Sequence, residues 1–273
     1  MAAEGTAPLK LLVPRHRGRA VWAYVATFGG GLLPGDHIAL DVDVGPGASL
    51  LLATQASTKI YRGGERPAQQ QLRARVAEGG LCAVLPDPIV CFADAVYRQR
   101  QRFDLEPGAS LVVCDWLSSG RAARDERWQL RSYRSTTEVF RGGEARGDRG
   151  ALVVRDAVAL EATPHSRLLD RFGAVDVFAT VLLLGPALAS AAAALVGRIA
   201  AMPVDPTAAL HASASPIDVE RGRSRGAVTA SSAVAGGAIL RVAGRRVEDV
   251  AIFLRRELAA LPELLGDDPW ARR

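Results

Sequence analysis

Hydrophobic and polar positions alternate with a period of two along much of the first two-thirds of the chain. Ile38, Leu40, Val42 and Val44 interleave with His37, Ala39, Asp41 and Asp43, the pattern of a strand with one face on a core and the other in water. The turn Gly45-Pro46-Gly47 follows and leads into Ser49-Leu50-Leu51-Leu52. The same unit returns: Pro46-Gly47-Ala48-Ser49-Leu50-Leu51-Leu52 is echoed by Pro107-Gly108-Ala109-Ser110-Leu111-Val112-Val113. Each copy follows an alternating acidic and apolar strand, Asp41-Val42-Asp43-Val44 or Phe103-Asp104-Leu105-Glu106. A fainter copy is Arg75-Val76-Ala77-Glu78-Gly79-Gly80-Leu81. Turns spaced by roughly 30 residues predict stacked β units, as in a short solenoid or layered sheets.

The pattern changes in the C-terminal third. Val177–Leu184 reads as a buried strand, and Ala187–Ala201 as an alanine-rich helix. Strands are predicted over Ala208–Ser215 and Ala238–Val242. In Val247–Leu265, the residues Val250, Leu254, Leu258 and Leu261 fall at helical spacing, which predicts one amphipathic helix. Strands first and helices last give a mostly β fold: a β-helical, layered-sheet scaffold with two helices in its C-terminal half, near 187–201 and 247–265. The chain reads as a single domain over 1–273. The uncharged run Val177–Gly197 is long enough on paper to cross a membrane. Gly185-Pro186 breaks it, and its second half is mostly alanine, so a strand and a helix account for it better.

Composition narrows the picture. The 273 residues are 49% hydrophobic and 23% charged, ordinary for a globular protein, while aromatics at 5% leave the core to Val, Leu, Ile and Ala. The net charge of +5 is spread along the chain without interleaved aromatics, which points away from nucleic acid and toward acidic protein partners. Cys82, Cys91 and Cys114 fit no disulfide or zinc spacing. With no apolar leader, they predict a cytoplasmic protein with buried thiols.

Several chemistries lack their residues. Gly29-Gly30-Gly31-Leu32-Leu33-Pro34-Gly35-Asp36 is followed by a strand, not by the helix a phosphate loop requires. It reads as a tight turn that orients Asp36. Neither a Gly-x-Ser-x-Gly elbow nor a His-Glu-x-x-His pair occurs. His16, His37, His165 and His211 are scattered, and nothing singles one out as a base. His37, Asp41 and Asp43 share one strand face, whose imidazole and carboxylates would suit weak contact with a divalent cation or simply a solvated surface. Cys114 stands beside Asp115. Of 34 basic residues only Lys10 and Lys59 are lysine. Lys59 lies in a dense polar stretch, Thr54-Gln55-Ala56-Ser57-Thr58-Lys59-Ile60-Tyr61-Arg62, where a compact ammonium would differ from a planar guanidinium.

Four blocks in order carry a resemblance: Gly30-Gly31-Leu32-Leu33-Pro34-Gly35-Asp36, Gln55-Ala56-Ser57-Thr58-Lys59-Ile60-Tyr61-Arg62, Leu85-Pro86-Asp87-Pro88-Ile89-Val90-Cys91-Phe92, and Asp115-Trp116-Leu117-Ser118-Ser119-Gly120-Arg121. With Gly237-Ala238-Ile239-Leu240-Arg241-Val242 before a final helix, the chain resembles the urease accessory protein family UreD, also called UreH. The resemblance implies a non-enzymatic maturation factor that binds apo-urease and UreF, and through UreF the GTPase UreG. It implies nickel in transit along a polar internal route, with no tightly bound cofactor. A route of this kind must hold its ion weakly enough to release it. The family blocks match at Asp36, Thr58, Lys59, Tyr61, Arg62, Asp115, Gly120 and Arg121. Asp36 and Asp115 would be weak carboxylate contacts, Thr58 would line the route, and Lys59 and Arg62 would fix neighbouring loops or carboxylates. The family often has tryptophan before the Asp115 position. Here it is Cys114, with Trp116 after it, which makes that thiol a softer nickel contact to consider. A second reading is a β-solenoid enzyme acting on acidic saccharides through paired carboxylates, and a third is a plain binding module.

Overall fold

The computed structural model describes residues 4, 9–14, 18–121, 124–142, 150–163, 167–217 and 236–271. In chain order the strands begin with β1 (Leu9–Leu12), β2 (Val21–Thr27), β3 (Gly31–Leu32), β4 (His37–Val44), β5 (Ser49–Thr54) and β6 (Thr58–Ile60). They continue with β7 (Ala68–Val76), β8 (Leu81–Leu85), β9 (Ile89–Cys91), β10 (Val96–Leu105), β11 (Ser110–Ser118), β12 (Gly120–Arg121) and β13 (Glu126–Arg127). The last are β14 (Ser132–Arg141), β15 (Ala151–Glu161), β16 (Val177–Leu184), β17 (Leu210–Ile217) and β18 (Gly237–Gly244). The helices are α1 (Leu168–Phe172), α2 (Ala189–Ala200), α3 (Val247–Glu257) and α4 (Leu261–Leu265).

The repeat seen in the sequence is a stack of coils. The chain passes from β4 to β5, from β7 to β8 and from β10 to β11, each time leaving one sheet for the other. Consequently β4, β7, β10 and β14 lie parallel in a five-stranded sheet. β2, β5, β8 and β11 lie parallel in the larger sheet. The Gly-containing turns stack as well: the Gly47 amide donates to the Glu78 carbonyl at 2.9 Å, and the Glu78 amide to the Glu106 carboxylate at 3.0 Å. β16, β18 and β17 extend the larger sheet in antiparallel order, and β15 closes the smaller one.

Burial explains the two sequence textures. The small sheet has one free face, so β10 alternates between buried and exposed residues along its length. The large sheet is covered on both faces, so β8 is buried at every position and reads as an unbroken apolar run. On one side it meets the small sheet. On the other it meets α2, α3 and α4, which bury Leu195, Ile199, Val250, Phe253, Leu254 and Leu261 against Trp22, Leu51, Val112 and Val181.

The predicted elements need small corrections. The 187–201 helix begins as a 3-10 turn over Pro186–Leu188 before α2. The single helix expected over 247–265 is two. Pro262 has no amide to give to the Leu258 carbonyl, and its ring crowds that carbonyl, so the chain turns at 258–260 and restarts as α4. The short α1 has too few apolar positions to be read as a periodic helix. Among the described residues no helix is long and apolar enough to cross a membrane.

Candidate functional site

The space between the two sheets is not uniformly apolar. Two hydrophobic clusters fill it, one around Leu72, Phe103, Leu111 and Leu182, the other around Leu32, Ile60, Tyr97 and Leu117. A polar seam lies between them. On the large sheet the register sets Asp115 beside Thr180, Thr180 beside Arg241 and Arg241 beside Ser213. These four belong to four adjacent strands and share one face. On the small sheet Gln70, Gln99 and Ser135 form one rung, and Gln101, Thr137 and Asp156 lie on the next.

Asp115 sits where the two sheets meet. Ser135 Oγ donates to its Oδ2 at 2.6 Å and Gln99 Nε2 to its Oδ1 at 3.1 Å. The Gln99 amide also reaches Ser135 Oγ at 3.2 Å. The Tyr97 hydroxyl lies 3.0 Å from Gln99 Oε1 and 3.1 Å from Gln70 Oε1. Burial pushes the Asp115 carboxyl above the usual carboxylate range, against the hydrogen bonds from Ser135, Gln99 and Tyr133, while the charge of Asp156 adds to the rise. Among the described residues every buried polar side-chain atom has a partner. The seam is therefore a satisfied network.

A cavity opens on each side of Asp115. The wide one, about 420 Å³, lies between β15 and the β17–β18 edge and is lined by Tyr133, Phe178, Thr180, His211 and Arg241. The narrow one, about 40 Å³, is lined by Thr54, Thr58, Gln70, Asp87, Gln99 and Gln101. Asp115 and Trp116 line both. At this level β5–β6 and β8–β9 are interrupted, by 55–57 and 86–88, which brings polar loop residues to the seam. Thr54 and Asp87 tie the two interruptions together: the Asp87 amide donates to Thr54 Oγ1 at 2.7 Å.

The residues singled out in the sequence separate into groups. Thr58 and Asp115 share the narrow cavity. Lys59, Tyr61, Arg62, Gly120 and Arg121 belong to a knot nearer the surface. The Tyr61 hydroxyl donates to the Gly29 carbonyl at 3.2 Å, and its ring meets Phe92 edge-on at 5.2 Å. Arg121 covers the other side of Phe92 at 4.1 Å and pairs with Glu126, whose carboxyl it holds below the usual range. Arg62 adds its charge near Glu126, and Lys59 is exposed. Gly31 is required here for space alone: a Cβ would stand 2.5 Å from the Lys59 carbonyl oxygen and 2.7 Å from the Tyr61 ring.

Asp36 lies off the seam and caps its own turn, accepting the Leu33 amide at 2.8 Å. Asp36→Ala is expected to cost about 1 kcal/mol of stability, the worth of such a turn bond. Calorimetry of the variant should show that loss, and an unchanged melting temperature would remove the capping role.

His37, Asp41 and Asp43 lie on the exposed face of the small sheet. Asp41 stands opposite Arg73 and Asp43 opposite Arg75 in the parallel register, so cationic residues flank those carboxylates on the neighbouring strand. Cys114 points to the helix side of the large sheet, away from Asp115, because neighbours on a strand face opposite ways. Burial pushes its thiol well up, and that of Cys82 up to about 12. Among the described residues no three His, Cys, Asp or Glu side chains come together as a metal-holding group. His16 and His165 lie outside the described residues.

Sequence reasoning passed over Gln70, Gln99, Gln101, Ser135, Thr137, Asp156 and Arg241. A signal was there: Gln99 and Gln101 fall in the same phase as Tyr97, Phe103 and Leu105, the core phase of β10. Ser135 and Thr137 do the same on β14. Amides and hydroxyls in a core phase mark a buried polar network.

This architecture defines a stacked-coil β scaffold with a hydrogen-bonded polar seam through its interior. A model of the family described as UreD urease accessory protein matches residues 2–273. "Urease accessory protein UreD" of Anaeromyxobacter sp. (strain Fw109-5) is 44% identical over 272 residues, covering 100% of this chain and 84% of that protein. The protein of the same name from Sorangium cellulosum (strain So ce56) is 47% identical over 266 residues, 97% of this chain and 77% of its own length. "Urease accessory protein D" of Oryza sativa subsp. indica is 33% identical over 275 residues, 96% and 88% of the two chains. The chain belongs to the UreD urease accessory protein family.

Proposed function

We propose that this chain serves urease maturation in the cytoplasm as a scaffold and not as a catalyst. It binds apo-urease together with UreF and, through UreF, the GTPase UreG, and it offers nickel a route to the urease site. The observation that carries the reading is the seam centred on Asp115, where a single carboxylate held by neutral donors opens on two cavities. Such a site attracts a cation without enclosing it, which suits a cargo that must leave again. Nickel is cargo here and not a resident cofactor. Thr58, Gln99 and Gln101 supply neutral oxygens along the narrow side, so an ion moving inward exchanges hydration for weak ligands one at a time.

The test is reconstitution. The full chain is co-expressed with apo-urease, UreF and UreG, and complexes are isolated on a tag placed on this chain. Nickel-dependent urease activity is measured with the chain present and omitted. The expected result is co-isolation of all partners and loss of activation on omission. Equal activation without the chain would sink the reading.

A further inference from the structure

Beside the wide cavity, which Arg241 lines, an ion pair joins the two sheets. Arg241, on β18, donates from an Nη to Asp156 Oδ1 at 2.6 Å. Asp156 sits on β15, the outermost strand of the small sheet, and β18 is followed in the large sheet only by the edge strand β17. The pair thus spans the gap where the sandwich opens. Its two ends differ: the Arg241 side chain is 58% exposed and the Asp156 side chain 15%. Only one hydrogen bond links them, and the guanidinium has solvent behind it. A long, solvated arginine leaves such a contact at little cost and without backbone movement.

The register places this arginine on the same rung as Thr180 and Asp115. A cation that approaches Asp115 along this rung from the β17 edge therefore meets the guanidinium first. We propose that Arg241 and Asp156 form an electrostatic gate at the wide end of the seam. Closed, the guanidinium is held by Asp156 over the rung and hinders small cations; swung outward, it leaves the approach to Asp115 open to them. The gate deepens the reading of the seam as a cation route and rests on it for its biological purpose, but its physical operation is measurable separately.

The measurement places a reporter behind the gate. Thr180 lines the wide cavity between Arg241 and Asp115, so Thr180→Cys is made in the full chain. The three native cysteines are buried and react slowly. The reporter is modified with a small cationic thiosulfonate and with a neutral one of similar size. With Arg241 present the cationic reagent should react about tenfold more slowly than the neutral one. Arg241→Met should raise the cationic rate about tenfold and leave the neutral rate within about twofold. The exchanged pair, Arg241→Asp with Asp156→Arg, restores a cross-sheet guanidinium and should restore the slow cationic rate, which guards against a simple packing defect. Equal rates for both reagents with Arg241 in place, or a parallel rise of both in Arg241→Met, would overturn the gate. The expected reagent rates together with unchanged urease activation in Arg241→Met would sustain the gate and count against the nickel route.

Discussion

Asp115→Asn is expected to melt higher than the native chain at neutral pH and to activate urease about tenfold less well. The two effects share one cause. Asp115 lies between the sheets, where burial disfavours its charge and lifts its carboxyl above the usual range. The sign follows from proton binding. Between the ordinary aspartate value, about 3.9, and the raised folded value, the folded state holds more protons than the unfolded chain. Stability therefore falls as pH rises through that window, and the full penalty is present above it. Asparagine fits the same network: its oxygen accepts from Gln99 and its amide donates to Ser135 Oγ. It carries no charge to desolvate, so a gain of about 1 kcal/mol would lift the melting temperature by roughly 2–4 °C. The gain should vanish when melting is repeated below the ordinary aspartate value. An Asn variant that is no more stable at pH 7 than at pH 3.5, relative to wild type, would refute the electrostatic account. One that activates urease normally would remove the carboxylate from the route.

The second large effect is a loss of fold from one methyl group. Gly120 has φ +118°, and a Cβ there would press into the Glu126 carbonyl oxygen and lie 2.9 Å from that of Cys91. Backbone atoms on two sides leave nothing that can yield. Gly120→Ala combines the strain of a disfavoured φ with an overpacked contact, together about 2–5 kcal/mol. That is a large part of the 5–15 kcal/mol that holds typical domains together. The melting temperature is expected to drop by on the order of 5–15 °C, with parallel loss of soluble yield. Calorimetry within about 2 °C of wild type would contradict it. The knot depends on this residue because β12 and β13 bring Arg121 onto Glu126 and Phe92. Gly120 thus acts through backbone geometry, although its family block suggests a site.

Much of this was legible along the chain. The PGAS repeat announced the stacked coils. The same repeat could not say which strands pair, because a turn fixes direction locally while parallel partners lie a whole coil apart. Thr58 and Asp115 were both chosen from the sequence, yet their meeting at one cavity depends on interruptions in β5–β6 and β8–β9 falling at the same level of the stack. Cys114 and Asp115 are adjacent in sequence and were weighed as joint ligands. The pleat sends them to opposite faces, one to the helices and one to the seam. The break before Pro262 was visible in the sequence, but the heptad-like spacing of Val250, Leu254, Leu258 and Leu261 masked it.

By itself the sequence determined which strands have one wet face and which have none, since alternation or its absence follows directly from the solvent each side chain meets. It also determined the turns, the helical end of the chain and the family blocks. Only the tertiary structure decided the seam. A glutamine in the core phase of one strand is a local anomaly. It becomes part of a buried network when Gln99, Ser135 and Asp115, from three strands and two sheets, hydrogen-bond to one another beside Thr180 and Arg241. The set runs from position 99 to position 241, and no local preference encodes it. It arises because buried polar groups must find partners once the two hydrophobic clusters on either side have packed.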